Sequence, residues 1–165
     1  EMVCGVDLVR EQIRVAAGLP LSDRQDEIHQ NGWAIECRIN AEDPNNHFMP
    51  APGKTKFLYW PGGCGVRIDS ALYQGYTTSP YYDSLVAKII VHGRTRLEAI
   101  RRMRRALEEL VIDGYPTTAE LCYLILHHPA FVRGRYNTGF LASEMDELML
   151  WNQVGAGLDP MEVNG

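Results

Sequence analysis

The stretch ECRINAEDP, Glu36-Cys37-Arg38-Ile39-Asn40-Ala41-Glu42-Asp43-Pro44, decides how this chain is read. Taken with the residues before it, apolar Trp33, Ile35, Cys37 and Ile39 alternate with polar Glu36, Arg38 and Asn40. That is the period of two of a half-buried strand. One face turns inward, and the other carries an arginine at a fixed place. Arginine is cationic at any working pH and offers a planar fork of donors, so Arg38 suits a carboxylate, bicarbonate, phosphate or developing oxyanion. Alternation alone does not separate that role from a solvated strand bearing an ordinary Glu/Arg pair.

Around this strand the chain has the composition of one soluble globular domain: 165 residues, 45% hydrophobic and 22% charged. A net charge of -5 argues against a general nucleic-acid binder, which carries a basic excess. The apolar runs, such as 84–91, fall short of the ~20 residues a spanning helix needs, and no signal-peptide pattern opens the chain. Glu1 stands where a Met would, and a helical pattern follows almost at once, so the expectation is a piece of something longer. Cys4, Cys37, Cys64 and Cys122 are far apart with no CxxC pair, which suggests reduced thiols and neither a zinc knuckle nor a disulfide framework. His127 and His128 before Pro129 read as a helix end rather than a metal site.

Periodicity predicts a short packing helix over 6–17, with Val9 and Ile13 on its buried side and Gly18 as its stop. A polar lead-in, 21–31, precedes the strand 32–40, and a Pro-rich connection, 41–53, follows it. Residues 54–60, 64–70 and 84–92 read as three more strands, the first two joined into a hairpin by Pro61-Gly62-Gly63. Near-continuous apolar character in 85–91, broken only by Lys88, predicts a central strand buried on both faces. In 64–70, Arg67 and Asp69 share the polar face.

The last third is helical. Thr95 with Glu98 starts one helix that runs to Asp113-Gly114, Thr117 with Glu120 starts a second ending before Pro129, and Phe140 to Met149 forms a third. Arg101, Arg102, Arg104 and Arg105 resemble a phosphate-binding surface, but Glu98–Arg102, Arg104–Glu108 and Arg105–Glu109 stand four apart and predict an ion-paired, solvated face. Tyr81-Tyr82 would suit stacking on a ligand ring, though a place in the core or an interface is the simpler reading. The architecture expected is α+β, a mostly antiparallel sheet with flanking C-terminal helices.

Five blocks carry a family resemblance: GVDLVREQIRVAAG (5–18), AIECRINAEDP (34–44), PGGCGVRIDS (61–70), YYDSLVAKII (81–90) and ALEELVIDGYPT (106–117). In order and spacing they resemble the C-terminal portion of biotin carboxylase, over roughly 1–145, and most closely the subunit of bacterial-type acetyl-CoA carboxylase. The resemblance implies that 1–18 end an ATP-grasp region, that 19–150 form the biotin carboxylase C-terminal domain, and that 151–165 are a flexible tail. It implies carboxylation of carrier-bound biotin from bicarbonate and ATP through carboxyphosphate, the first half-reaction of acetyl-CoA carboxylase in fatty-acid synthesis. It also implies a cytoplasmic homodimer partnered by biotin carboxyl carrier protein and carboxyltransferase subunits, without nucleic acid or membrane.

Arg38 matches the arginine that contacts bicarbonate and the biotin ureido oxygen, where a fixed cation stabilises the charge built by deprotonating N1′. Arg67 matches a subunit-interface position. The phosphate loop, metal carboxylates and base glutamate of the family would precede Glu1, so this stretch alone would be inactive and bind no metal; ATP, magnesium or manganese, and biotin would belong to the parent enzyme. Three departures stand out: Cys64 replaces a bulky interface aromatic, Asn45-Asn46-His47 is one residue longer than the commonest loop, and Cys4 replaces a threonine. Two alternatives stay open, a non-catalytic dimerisation or interaction module, and the same lobe of a pyruvate, propionyl-CoA or urea carboxylase.

Overall fold

Asp7 accepts the backbone N–H of Arg10 at 2.9 Å and caps the first helix, α1 (Leu8–Ala16). Gly18 then ends it with a left-handed backbone, φ 78°. The computed structural model describes residues 1–155. The apolar stripe of α1 does not pack as expected: Leu8, Val9, Ile13 and Val15 are all exposed. Its inward group is Glu11, which accepts the Ser22 hydroxyl at 2.7 Å and the Ser22 N–H at 2.8 Å.

β1 (Trp33–Asn40) forms where the alternation predicts it. The connection 41–53 is more ordered than its prolines suggest. β2 (Glu42–Asp43) and β3 (Met49–Pro50) pair around a single 3-10 turn, Pro44–Asn46, which Asp43 caps by accepting from Asn45 N–H at 3.0 Å. β4 (Phe57–Tyr59), β5 (Val66–Ser70) and β6 (Leu85–Gly93) follow. The order closes with α2 (Arg96–Glu109), β7 (Val111–Asp113), α3 (Ala119–His127), a single turn α4 (Pro129–Val132), and α5 (Phe140–Gly155). Thus α5 runs through 151, the expected start of the tail, and 156–165 lie outside the described residues.

β6 lies between β1 and β5 and is antiparallel to both. Cys37, Ile39, Ala87, Ile89 and Val91 project from one face of this sheet into Ala99, Ile100, Met103, Ala106 and Leu107 of α2, with Leu126 of α3 beside them. Each large side chain buried there contributes about 1.5–3 kcal/mol. The opposite face carries Glu36, Arg38, Lys88, Asp69 and Arg67. Burial of β6 on both faces holds at Ile90, whereas Val86 and Lys88 stay half-exposed.

The expected hairpin between 54–60 and 64–70 does not form. β4 pairs with β7 instead, Leu58 opposite Ile112, so Pro61-Gly62-Gly63 carries the chain from one sheet to another. The same pairing stops α2 at Glu109, since Leu110 is extended (φ -67°, ψ 126°) and β-branched Val111 and Ile112 take a strand partner. On α2, Glu98–Arg102 at 2.8 Å and Arg105–Glu109 at 2.7 Å pair as their spacing predicts. Arg104 does not pair with Glu108. It donates to the Leu126 carbonyl at 2.6 and 3.2 Å, near the end of α3, while Glu108 accepts the Tyr123 hydroxyl at 2.7 Å.

β1 is an edge strand, and Thr118 closes part of that edge. Its hydroxyl donates to the Arg38 carbonyl at 3.2 Å and accepts from Asn40 N–H at 3.0 Å, and its own N–H donates to the Asn40 carbonyl at 3.1 Å. That hydroxyl is therefore turned away from α3, and Thr117 accepts the Ala119 N–H at 3.4 Å. Thr118 is buried, so its groups have little access to water. Thr118→Val keeps the shape but strands two backbone groups, and should lower stability by about 1–3 kcal/mol in urea denaturation. An unchanged midpoint would show the clasp to be dispensable.

Candidate functional site

The Arg38 backbone is held on both sides, by the β6 register opposite Lys88 and by Thr118 at the outer edge. Its side chain is held by almost nothing. The side chain is 53% exposed and its guanidinium makes no hydrogen bond among the described residues; its partner is Asp83, 3.7 Å away. At that separation the pair is Coulombic, with most of the fork left for another acceptor.

Asp83 is delivered by the entry to β6. Ala41 N–H donates to the Ser84 carbonyl at 2.8 Å, the Ser84 hydroxyl donates to Glu42, and Asn40 Nδ2 donates to the same carboxylate at 3.2 Å. The end of β1 is thereby stitched to the start of β6, which keeps Asp83 beside Arg38. Asp83 also lines a cavity of about 300 Å³ with Pro50, Leu72, Tyr76, Tyr82 and Leu85. A mostly apolar recess beside a cation suits a ligand with one anionic or polar end and an apolar remainder.

Arg67 projects from the same bare face, as its alternation predicts, but it does not meet Arg38. Lys88 and Asp69 lie between them. Its Nε and Nη2 donate to the two Asp69 oxygens at 2.8 and 2.9 Å, and Nη1 donates to Glu1 at 2.7 Å. The Arg67 fork holds the Asp69 and Glu1 carboxyls below the usual carboxylate range, and those acids push the guanidinium up. Cys64 nearby is exposed.

Tyr81 and Tyr82 are not core residues: they are 91% and 84% exposed. His128 is buried, and with Glu144 and Glu147 it forms a group whose ligand atoms lie within 4.8 Å of one another. The chemistry there opposes a metal. Ala130 N–H donates to His128 Nδ1 at 3.2 Å, so a neutral ring carries its proton on Nε2, which faces Glu144 at 3.6 Å and is not free to ligate.

Two groups around Arg38 carry no signal of their role in the sequence. Asp83 is separated from it by 45 positions, and only the register of β1 on β6 brings them together. Thr118 sits in a string of threonines that reads as a helix start. Lys88 does carry a signal, as the one charge inside an apolar strand.

A family model described as Biotin carboxylase C-terminal domain matches residues 36–143, from the start of the Arg38 motif into α5. Biotin carboxylase 1 of Bacillus subtilis is 56% identical over 141 residues, covering 86% of this chain and 31% of that protein. A pyruvate carboxylase subunit of Methanothermobacter thermautotrophicus is 50% identical, covering 86% and 29%. Among solved structures, the biotin carboxylase domain dimer of Hydrogenobacter thermophilus 2-oxoglutarate carboxylase, in complex with MgADP, ADP and bicarbonate, superposes with a TM-score of 0.85. It is 44% identical, with 90% of this chain and 33% of that chain covered. This chain spans about a third of the length of the relatives it matches. With the expected antiparallel sheet, the helices behind it and the motif match all in agreement, the chain belongs to the biotin carboxylase C-terminal domain family.

Proposed function

We propose that this chain is the C-terminal lobe of an ATP- and bicarbonate-dependent biotin carboxylase, and that Arg38 is its contact with bicarbonate and with the biotin ureido oxygen. The observation that carries the reading is the uncommitted Arg38 fork on a bare, rigid sheet face. Residues 1–18 end the ATP-grasp region and 19–150 form the lobe. The acceptor is carrier-bound biotin, and the cytoplasmic acetyl-CoA carboxylase assembly, with carrier and carboxyltransferase partners, is the first choice of setting. Relatives named for pyruvate and 2-oxoglutarate carboxylation favour, as the second reading, the same half-reaction serving another final acceptor.

Nucleotide and metal binding belong to the parent enzyme in this reading, so the stretch 1–165 by itself leaves ATP intact. Bicarbonate-dependent ATP hydrolysis by the purified stretch, stimulated by free biotin, would overturn that assignment.

The interface role of Arg67 is a narrower proposal. Because its donors are already engaged by Asp69 and Glu1, it would enter an interface as the centre of a three-residue ionic unit rather than as a loose cation. Arg67→Glu in the full-length protein sets a third carboxylate beside those two and should shift sedimentation toward monomer. A dimer of unchanged strength removes Arg67 from the interface.

Arg38→Ala tests the main reading. Truncation on the bare face opens no core cavity, so the unfolding midpoint should stay near that of the wild type. Losing a donor aimed at developing charge should slow biotin carboxylation by the full-length enzyme ~100-fold or more. Arg38→Lys should restore only part of the rate, because a point charge on a flexible stem does not reproduce the fork. Wild-type turnover by Arg38→Ala would return Arg38 to a structural surface charge.

A further inference from the structure

Arg38 and Lys88 stand directly opposite one another in the antiparallel register of β1 and β6. Both side chains therefore rise from the bare face of the sheet. Opposed residues bring their Cβ atoms to about 5 Å, and like charges placed so destabilise the pair. Across the sheet the row reads Arg38, Lys88, Asp69, two cations before the first carboxylate. That carboxylate is already taken: both Asp69 oxygens accept from Arg67 at 2.8 and 2.9 Å, while the Lys88 ammonium lies 3.6 Å off. Arg38 is no better served, with Asp83 at 3.7 Å. Neither separation is a hydrogen bond. Glu36 shares the face but lies opposite Ile90, one rung further along.

The roots of the two cationic side chains are thus held side by side by the backbone, each charged end leans toward a different carboxylate, and among the described residues neither donates a hydrogen bond. Burial of Ala87 and Ile89 on either side of Lys88 fixes its direction, so the repulsion is not relieved by turning the strand. An oxyanion between the two cations converts that repulsion into attraction. A planar fork takes two coplanar oxygens and a compact ammonium takes one, which divides a three-oxygen anion between them.

We propose that Lys88 is the second cation of the Arg38 site, its ammonium hydrogen-bonding an oxygen of the same bicarbonate that Arg38 engages. This inference rests on the reading of Arg38 given above. It makes Lys88 a substrate-binding residue whose presence weakens the unliganded sheet and strengthens the liganded one.

The test uses the full-length protein as wild type, Lys88→Met and Lys88→Arg, with two readouts: the thermal midpoint with and without bicarbonate, and KM for bicarbonate in biotin carboxylation. Without bicarbonate, Lys88→Met should unfold at the wild-type temperature or above it, because the opposed charge is gone. It should lose most of the bicarbonate-induced rise in midpoint and show a KM for bicarbonate raised about tenfold, with Lys88→Arg between the two. A bicarbonate response in Lys88→Met equal to that of the wild type overturns the proposal, as does a wild type whose midpoint ignores bicarbonate. A midpoint several degrees lower without bicarbonate also overturns it, since Lys88 would then be a structural partner of Asp69. If the wild type binds bicarbonate but does not carboxylate biotin, the proposed function fails separately, and the midpoints alone decide the role of Lys88.

Discussion

Strand alternation is the constraint from which the site follows. Side chains one residue apart must leave a sheet on opposite faces, so burying Ile39, Ile89 and Val91 beneath α2 forces Arg38 and Lys88 to the other side. A slip of one residue between β1 and its neighbour would place a guanidinium against Ile100 and Met103, at a desolvation cost no nearby carboxylate offsets. The apolar core and the cationic face are therefore two consequences of one register. The Thr118 clasp adds to this at the edge, where β1 has no strand neighbour and its backbone would otherwise fray.

Arginines elsewhere in the chain show what commitment looks like. Arg96 donates to the carbonyls of Phe131 and Val132 at 2.6 and 2.7 Å, Arg102 donates to the His92 carbonyl, and Arg104 and Arg105 donate to the carbonyls of Leu126 and Gly62. These side chains staple helix α2 to the segments around it, satisfying carbonyls at helix ends, at a turn and near the end of β6. The sequence shows them as a basic run with acids at helical spacing, which accounts for Glu98 and Glu109 but not for the carbonyl contacts. Arg38 differs from all of them in having a fixed base and a free end.

Elements were legible in the sequence where one face is buried and the pattern is local. β1 and β6 match their alternation or apolar runs within a residue, and α2 begins at the Thr95 cap whose hydroxyl accepts the Glu98 N–H. Elements whose fate depends on distant partners were not. β7 carries the tail of a helical pattern and becomes a strand only because Phe57 to Tyr59 lie alongside, 54 positions earlier. The exposed stripe on α1 misleads for a related reason, as does the core half of the reading of Tyr81 and Tyr82, since apolar spacing says that a surface is suited to burial and not which surface is buried here. Arg38 was legible as a cation at a fixed place, and its family match then named a chemistry. Its neighbours Asp83 and Thr118 were not, because the fold alone assembles them.

The loose Arg38–Asp83 contact is itself informative about how a fold keeps a cation uncommitted. A bidentate pair like Arg67–Asp69 would occupy the fork, and a ligand would have to displace a charge-assisted hydrogen-bond pair before binding. With no acid at all, the guanidinium would sample many rotamers and meet the like charge of Lys88 unopposed. A single carboxylate at 3.7 Å lies between these extremes, restraining the side chain by attraction without consuming its donors. The stitching of Ser84 to Ala41 and Glu42 sets that intermediate distance through the backbone, so the availability of Arg38 is a property of how β1 joins β6 and not of the arginine alone.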